Sequence, residues 1–463
     1  MFWIIATLLL LTFHHPCRAV LDDTQSFDIT KHLGTSSPYP IHDNTSSPVI
    51  LPDRCWLTQI HYVVRHGTRY PSTKNTIHFD NLHALFKNAV LDSEHLWLRT
   101  WVNPYYSGKS FLLTLPGEKE MYLLGKRVAA RYRRFLHRFA YDANIFEFRS
   151  SAASRSSQSG SAFAVGLFEG DGPLGDSRIQ PIYLYTVPKG IDRQMAMKHA
   201  CPRWLAEVSV NPFRDAEIQS FTSRHISAIA RRLNTQFPNL NLLPQDVDTI
   251  YTLCGYEASF AGNTSTWCSL LQLKDFEAFE YLGDMNDYFT YSYGDPFNSF
   301  MACDLITDLV TDIEAMINGV PVAKRAIFKF GHAETINFFA TLLGLYRDDQ
   351  PLLANATSKF IRERKYRVSQ MTPFAANIAF ELLRCSGSSY KIRMLLNERP
   401  VSIPGCVSAG GGDGYACLWT TFKNLVSDKV GCNWQKICKH KTFGIGKKLQ
   451  GWMSQKMWHN NLN

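Results

Sequence analysis

The chain has 463 residues, 45% hydrophobic and 19% charged, a composition that excludes a disordered protein and a length that calls for two or three packed units. Its net charge of +9 is modest for that length and suits nucleic acid, membrane phosphates or an anionic small molecule equally; no nucleic-acid module stands out. Beyond the first residues, no segment is apolar over the ~20 residues a membrane span needs.

Residues 1–19 read as a signal peptide, with an apolar run from Met1 to Phe13, then His14, His15 and Pro16, and the small Ala19 as cleavage point. No Lys or Arg precedes the run, and an uncleaved anchor is the competing reading, disfavoured by the run's shortness. Residues 20–50, rich in Ser, Thr, Pro and Asp, form an irregular lead-in.

Gln59 to Val64 is apolar and β-branched, as in a strand buried within a mostly parallel sheet, and it delivers Arg65-His66-Gly67-Thr68-Arg69-Tyr70-Pro71 to a loop at the strand's carboxyl end. Active sites of open α/β sheets form there. A phosphoryl group in transfer spreads negative charge over three oxygens, and the guanidinium forks of Arg65 and Arg69 suit that charge. Gly67 lets the backbone come close. An imidazole attacks phosphorus only when neutral, and the flanking arginines disfavour protonation of His66, which would become a phosphohistidine. His61, mid-strand, reads as a packed core residue.

Next, Met121, Leu124 and Val128 recur at helical spacing after Pro116 and Gly117. Ile145 to Phe148 is a second strand, emptying into Arg149-Ser-Ser-Ala-Ala-Ser-Arg155, a second strand-loop-arginine arrangement in which Arg155 reads as pairing with an acid or facing solvent. Residues 191–319 are helical in pattern, as in Arg214 to Leu233 and Ala302 to Ile317. A third strand, Ala326 to Phe330, precedes Gly331-His332-Ala333-Glu334 at a helix start, a ready anion site. Ala375 to Cys385 and Tyr390 to Glu398 read as an antiparallel pair at the sheet edge.

Of eleven cysteines, Cys17 leaves with the leader and an even ten remain, as suits an oxidising compartment. Short spacing suggests local bridges Cys254–Cys268, Cys406–Cys417 and Cys432–Cys438. No cysteine or histidine set has zinc-ligand spacing, so no metal site is expected. Asn44, Asn263 and Asn355 head glycosylation sequons. Gly108-Lys109-Ser110 lacks the first glycine of a P-loop, Ser408 to Gly414 reads as a flexible loop, and Arg362 to Arg367, Lys447 and Lys448 read as solvated faces. The C-terminus is neither an apolar anchor signal nor a KDEL-type tail, and secretion or residence in the secretory lumen is expected.

Together, RHGTRYP, FRSSAASR and GHAE resemble the histidine acid phosphatase branch of the histidine phosphatase superfamily. Within it, the H-A-E form, the R-S-S run, and the Phe374-Ala-Ala-Asn377 and Leu395-Leu-Asn-Glu398 segments are most similar to multiple inositol polyphosphate phosphatases. The resemblance implies an α/β fold with a central mostly parallel sheet flanked by helices and an inserted smaller helical domain. It makes 51–405 the catalytic region, with the α/β core from about 51–75, 140–190 and 320–405 and the helical part from about 76–139 and 191–319. Residues 406–463 are left as a Cys-rich basic tail.

It further implies His66 as nucleophile, Arg65, Arg69, Arg149 and His332 as phosphate ligands, and Glu334 as proton donor in place of the family's usual Asp, whose position Ala333 occupies. The substrate it implies is an anionic phosphomonoester, including inositol hexakisphosphate, turned over without metal or organic cofactor. Competing readings are a broad acid phosphatase, which H-A-E disfavours, and a binding protein for polyanions, which would need a broken site. Mutases of the phosphoglycerate type share R-H-G but lack a leader and ten cysteines.

Overall fold

The computed structural model describes residues 27–40, 50–406 and 414–440. The expected signal peptide, Cys17, Asn44, Lys447, Lys448 and nearly all of the 408–414 loop lie outside them.

The sheet has eight strands: β1 (Cys55–Arg65), β2 (Phe146–Ser151), β3 (Leu184–Val187), β4 (Ala326–Gly331), β5 (Asn377–Cys385), β6 (Tyr390–Leu396), β7 (Arg399–Val401) and β8 (Cys417–Leu418). Their order is β3-β2-β4-β1-β5-β6-β7, with β8 beside β6. The first four in that order are parallel, and β5 returns antiparallel to β1, so the α/β sheet is mostly parallel as expected. The short β3, β7 and β8 have no expectation behind them; each is too short for a two-residue alternation to register in sequence.

Register is what matters for function. Arg65 stands opposite Gly331, and Ser150 opposite Phe330, so the loops after β1, β2 and β4 leave the sheet side by side. The fully buried run from Gln59 to Arg65 in β1 requires cover on both faces. One face is packed by the Leu115–Arg131 and Ser154–Leu167 helices, through Met121, Leu124, Val128 and Phe163. Against the other lie the Cys303–Ile317 and Ala333–Leu342 helices. A separate helical core joins the Thr73–Lys87, Ser227–Gln236 and Pro244–Ala261 helices around Trp267. Two helices expected in the helical part, Leu115–Arg131 and Cys303–Ile317, therefore belong to the layers on the sheet.

Five disulfides occur among the described residues. Cys254–Cys268 and Cys406–Cys417 are as expected. Cys432–Cys438 is not formed: Cys432 bonds Cys303 and Cys438 bonds Cys201, because Trp419, Phe422 and Trp434 bury themselves in the main core and carry both cysteines back onto it. Cys55–Cys385 ties β1 to β5 at the end remote from the loops. Such crosslinks belong to an oxidising compartment. No helix among the described residues is long and apolar enough to cross a membrane.

Candidate active site

His66 is 3% exposed, and its Nδ1 lies 2.8 Å from the carbonyl of Gly67. A carbonyl only accepts, so the proton sits on Nδ1 and Nε2 keeps its lone pair. Burial, then the cations Arg155 and Arg65, push its pKa well below the usual imidazole value, so the ring stays neutral in acid.

The loop around it is built by close approach to a helix start. A Cβ on Gly67 would meet the carbonyl oxygen of Gly117 at 2.4 Å, and one on Gly117 would meet that of Thr68 at 2.1 Å. The bare Gly67 thus lets the backbone come close, and what it approaches is the start of the Leu115–Arg131 helix. Glu120 of that helix accepts from Thr68 N (2.7 Å) and Oγ1 (2.8 Å), and Ser159 Oγ accepts from Gly67 N at 3.1 Å.

Arg65 is buried with its guanidinium 4.3 Å over the Phe374 ring, and Nη1 donates to the carbonyls of Thr35 (2.6 Å) and Thr372 (2.5 Å). Burial and neighbouring Arg69 push its pKa down to about 9, which leaves it cationic throughout the acid range. The lead-in, expected to be irregular, carries two short 3-10 helices, Ile29–His32 and Gly34–Ser36; its Thr35 helps hold this arginine, and Leu33 is buried in the helical core. Arg69 donates through Nη1 to Tyr256 Oη at 3.1 Å.

The two arginines of FRSSAASR exchange their expected places. Arg149, two residues inside β2, donates to the fully buried Asp192 at 2.7 Å, and Asp192 also accepts from Met195 N at 3.0 Å. It braces that turn. Arg155, in the first turn of the Ser154–Leu167 helix, points Nη2 at His332 Nδ1, 3.2 Å away, and is prominent among the charges acting on His66. The strand ends at Ser151, so only the second arginine lies at the sheet's carboxyl edge.

His332 stacks edge-on to His66 with ring centroids 5.6 Å apart. Because Arg155 donates to Nδ1, the His332 proton is on Nε2, which donates to Ser151 Oγ at 2.9 Å. Burial and the local cations take its pKa down to about 3, although Glu334 opposes them.

Glu334, in the first turn of the Ala333–Leu342 helix, was expected to carry a proton. Burial favours that, but Lys198 Nζ lies 2.8 Å from Oε1, and with His332 it holds the carboxyl well below the usual carboxylate range. Beside Lys198, Glu334 is therefore a carboxylate. Lys198 had no motif to reveal it, nor did Asp287, whose carboxyl burial and Glu334 push up to about 7. Arg155 was legible in principle, from its distance past the strand end.

Elsewhere, Arg362, Glu363 and Lys365 face solvent as expected, whereas Arg364 of the same cluster is buried against Asp284 and Glu280, and Arg367 reaches Glu280 at 2.9 Å. His61 is packed in β1 as expected. Asn355 is exposed, whereas the Asn263 amide donates to Thr266 Oγ1 at 3.1 Å.

Comparison with known proteins bears directly on this arrangement. Multiple inositol polyphosphate phosphatase 1 of Gallus gallus is 30% identical over 84% of this chain and 86% of its own length. Among solved structures, the phytase from D. castellii superposes with a TM-score of 0.76 at 20% identity, covering 91% of each chain. The Bifidobacterium longum multiple inositol polyphosphate phosphatase complex with inositol hexasulfate gives 0.68 at 18% identity, covering 86% of this chain and 98% of that one. The family model for the histidine phosphatase superfamily (branch 2) matches residues 56–397, and the chain belongs to that family.

Proposed function

We propose that this enzyme hydrolyses phosphomonoesters of inositol polyphosphates, including the hexakisphosphate, through a phosphohistidine at His66. The observation that carries the reading is the state of His66: proton parked on Nδ1 by Gly67, Nε2 free, ring kept neutral among arginines. Nε2 attacks phosphorus as the bridging P–O bond breaks. Arg65, Arg69 and Arg155 neutralise the equatorial oxygens, and His332, edge-on to His66, joins them in holding the phosphate. Arg155 replaces Arg149 in this set, since Arg149 is held by Asp192.

An inositol alkoxide leaves poorly, so Glu334 delivers a proton to the bridging oxygen. As a carboxylate it then takes the proton of the water that cleaves the phosphohistidine. The scheme draws its charge from side chains and calls for no metal or organic cofactor. The substrate class is supported by the Gallus gallus relative and by the polyanion in the Bifidobacterium longum structure. Secretion or lumenal residence, with glycans on the Asn44, Asn263 and Asn355 sequons, fits the disulfides.

The test is phosphate release from inositol hexakisphosphate by the purified protein, with His66→Ala as control. Release that vanishes in a folded His66→Ala protein is expected. Release that survives it would remove His66 as nucleophile, and no release by the wild type would remove the substrate.

A further inference from the structure

If Glu334 is the proton donor, something must bring it a proton, for it is an ionised partner of Lys198. The pair is well made. Lys198 sits on the turn Met197–Ala200, its Nζ 2.8 Å from Glu334 Oε1, with both side chains only 20% exposed and the ammonium 5.4 Å over the ring of Tyr291. Neutral His332 stands beside Glu334 at the strand end, and further cations reach it from Arg155 on its helix, Arg65 on β1, and Lys189 on the turn before Lys198. His199 also feels Glu334, and the acid facing it is Asp287 on the Leu273–Tyr291 helix. Of the cations, Lys198 alone forms an ion pair with Glu334 among the described residues.

We propose that Lys198 is a positioning residue that locks Glu334 as a carboxylate until a second phosphate of the substrate draws the ammonium away, so that polyphosphates arm the proton donor and monophosphates do not. The inference rests on the mechanism proposed above.

A phosphate monoester carries up to two charges and three acceptor oxygens, and it outbids one carboxylate for an ammonium. Deprived of its partner in a largely buried site, Glu334 takes one proton from solvent. That proton passes to the bridging oxygen as the P–O bond breaks and the Nε2–P bond forms. Water then attacks phosphorus, its proton goes to the Glu334 carboxylate, and the N–P bond breaks. Loss of the proton to solvent as phosphate departs returns Glu334 to Lys198.

The experiment measures kcat and kcat/KM against pH for inositol hexakisphosphate, glycerol 2-phosphate and p-nitrophenyl phosphate in wild type, Lys198→Met and Lys198→Arg. Glycerol 2-phosphate has one phosphate and an alcohol leaving group that needs a proton; nitrophenolate leaves without one. In Lys198→Met the alkaline limb for glycerol 2-phosphate moves up by about 1–3 pH units, the shift an opposite charge at this range imposes. The preference in kcat for the hexakisphosphate over glycerol 2-phosphate falls by about tenfold or more. The nitrophenyl limb stays in place, and Lys198→Arg restores the wild-type profile. An unmoved glycerol 2-phosphate limb, or equal movement on both monophosphates, overturns the proposal; Lys198→Gln substitutes if the Met variant is recovered unfolded. Glu334→Gln separates the two levels. If it slows glycerol 2-phosphate no more than the aryl ester, the acid role fails, and with it this inference. If it is selective while Lys198→Met changes nothing, only the role of Lys198 falls.

Discussion

Replacing Gly67 with Ala separates two explanations for a glycine next to the proposed nucleophile, His66. If Gly67 is bare so that phosphate can approach, Gly67→Ala weakens anion binding and leaves stability alone. The structure demands the reverse. The new methyl would stand 2.4 Å from the Gly117 carbonyl oxygen, against the 3.0 Å that real Cβ atoms rarely breach, so the helix start or the loop must give by more than half an ångström. Both sides are backbone, tied by Thr114 Oγ1 to the Thr68 carbonyl (2.8 Å) and by Glu120 to Thr68, and neither yields freely.

Overpacking of this kind costs about 1–3 kcal/mol, and a displacement near 1 Å at the nucleophile costs about a hundredfold in rate. Gly117→Ala probes the same contact from the helix, where the methyl would meet the Thr68 carbonyl oxygen at 2.1 Å. Thermal melts and kcat on p-nitrophenyl phosphate, together with inhibition by inorganic phosphate, read both effects. Both variants are expected to melt lower than wild type and to lose kcat in parallel. A Gly67→Ala protein that melts like wild type and merely binds phosphate more weakly would refute the packing explanation.

The two arginines after β2 are expected to fail differently. Arg155→Ala lowers kcat/KM by about 10²–10³ with little change in melting, whereas Arg149→Ala strands buried Asp192 and costs about 3–5 kcal/mol of stability; melts and kinetics showing the opposite pattern would return Arg149 to the site. For His61, burial and then Lys329 depress the folded pKa to about 3, below the ordinary value near 6.5. Between those values the unfolded chain binds a proton that the folded chain refuses, so stability is lost as pH falls from about 6.5 towards 3. His61→Phe is expected to gain on wild type by roughly 2–3 kcal/mol between pH 6.5 and 4.5 in denaturant titrations, and a difference independent of pH would contradict the buried neutral ring. Peptide mapping without reduction is expected to find Cys201 with Cys438 and Cys303 with Cys432; a Cys432–Cys438 peptide would show that the C-terminal segment is not stapled as described.

Much of the molecule was legible in one dimension because its signals are local. The buried run from Gln59 to Val64 announces a strand by composition, and R-H-G-x-R-x-P places the proposed nucleophile and two cations within a few residues of one another, so no fold is needed to bring them together. His332 and Glu334 are legible for the same reason, standing where a strand hands over to a helix. The helices of residues 191–319 and the two short disulfide loops follow from periodicity and from short loop closure.

What the tertiary structure decided are the contacts between residues far apart in sequence. Arg149 and Arg155 carry the same side chain six positions apart, and only the point where β2 stops determines which of them reaches the pocket. Cys432 has Cys438 nearby, but burial of Trp419, Phe422 and Trp434 carries both cysteines to more distant partners. The charge on Glu334 is the clearest case. A carboxyl's charge is set by what lies within a few ångströms of it, and Lys198, 136 positions away in the chain, reaches that distance only because the turn that bears it folds over the end of the sheet.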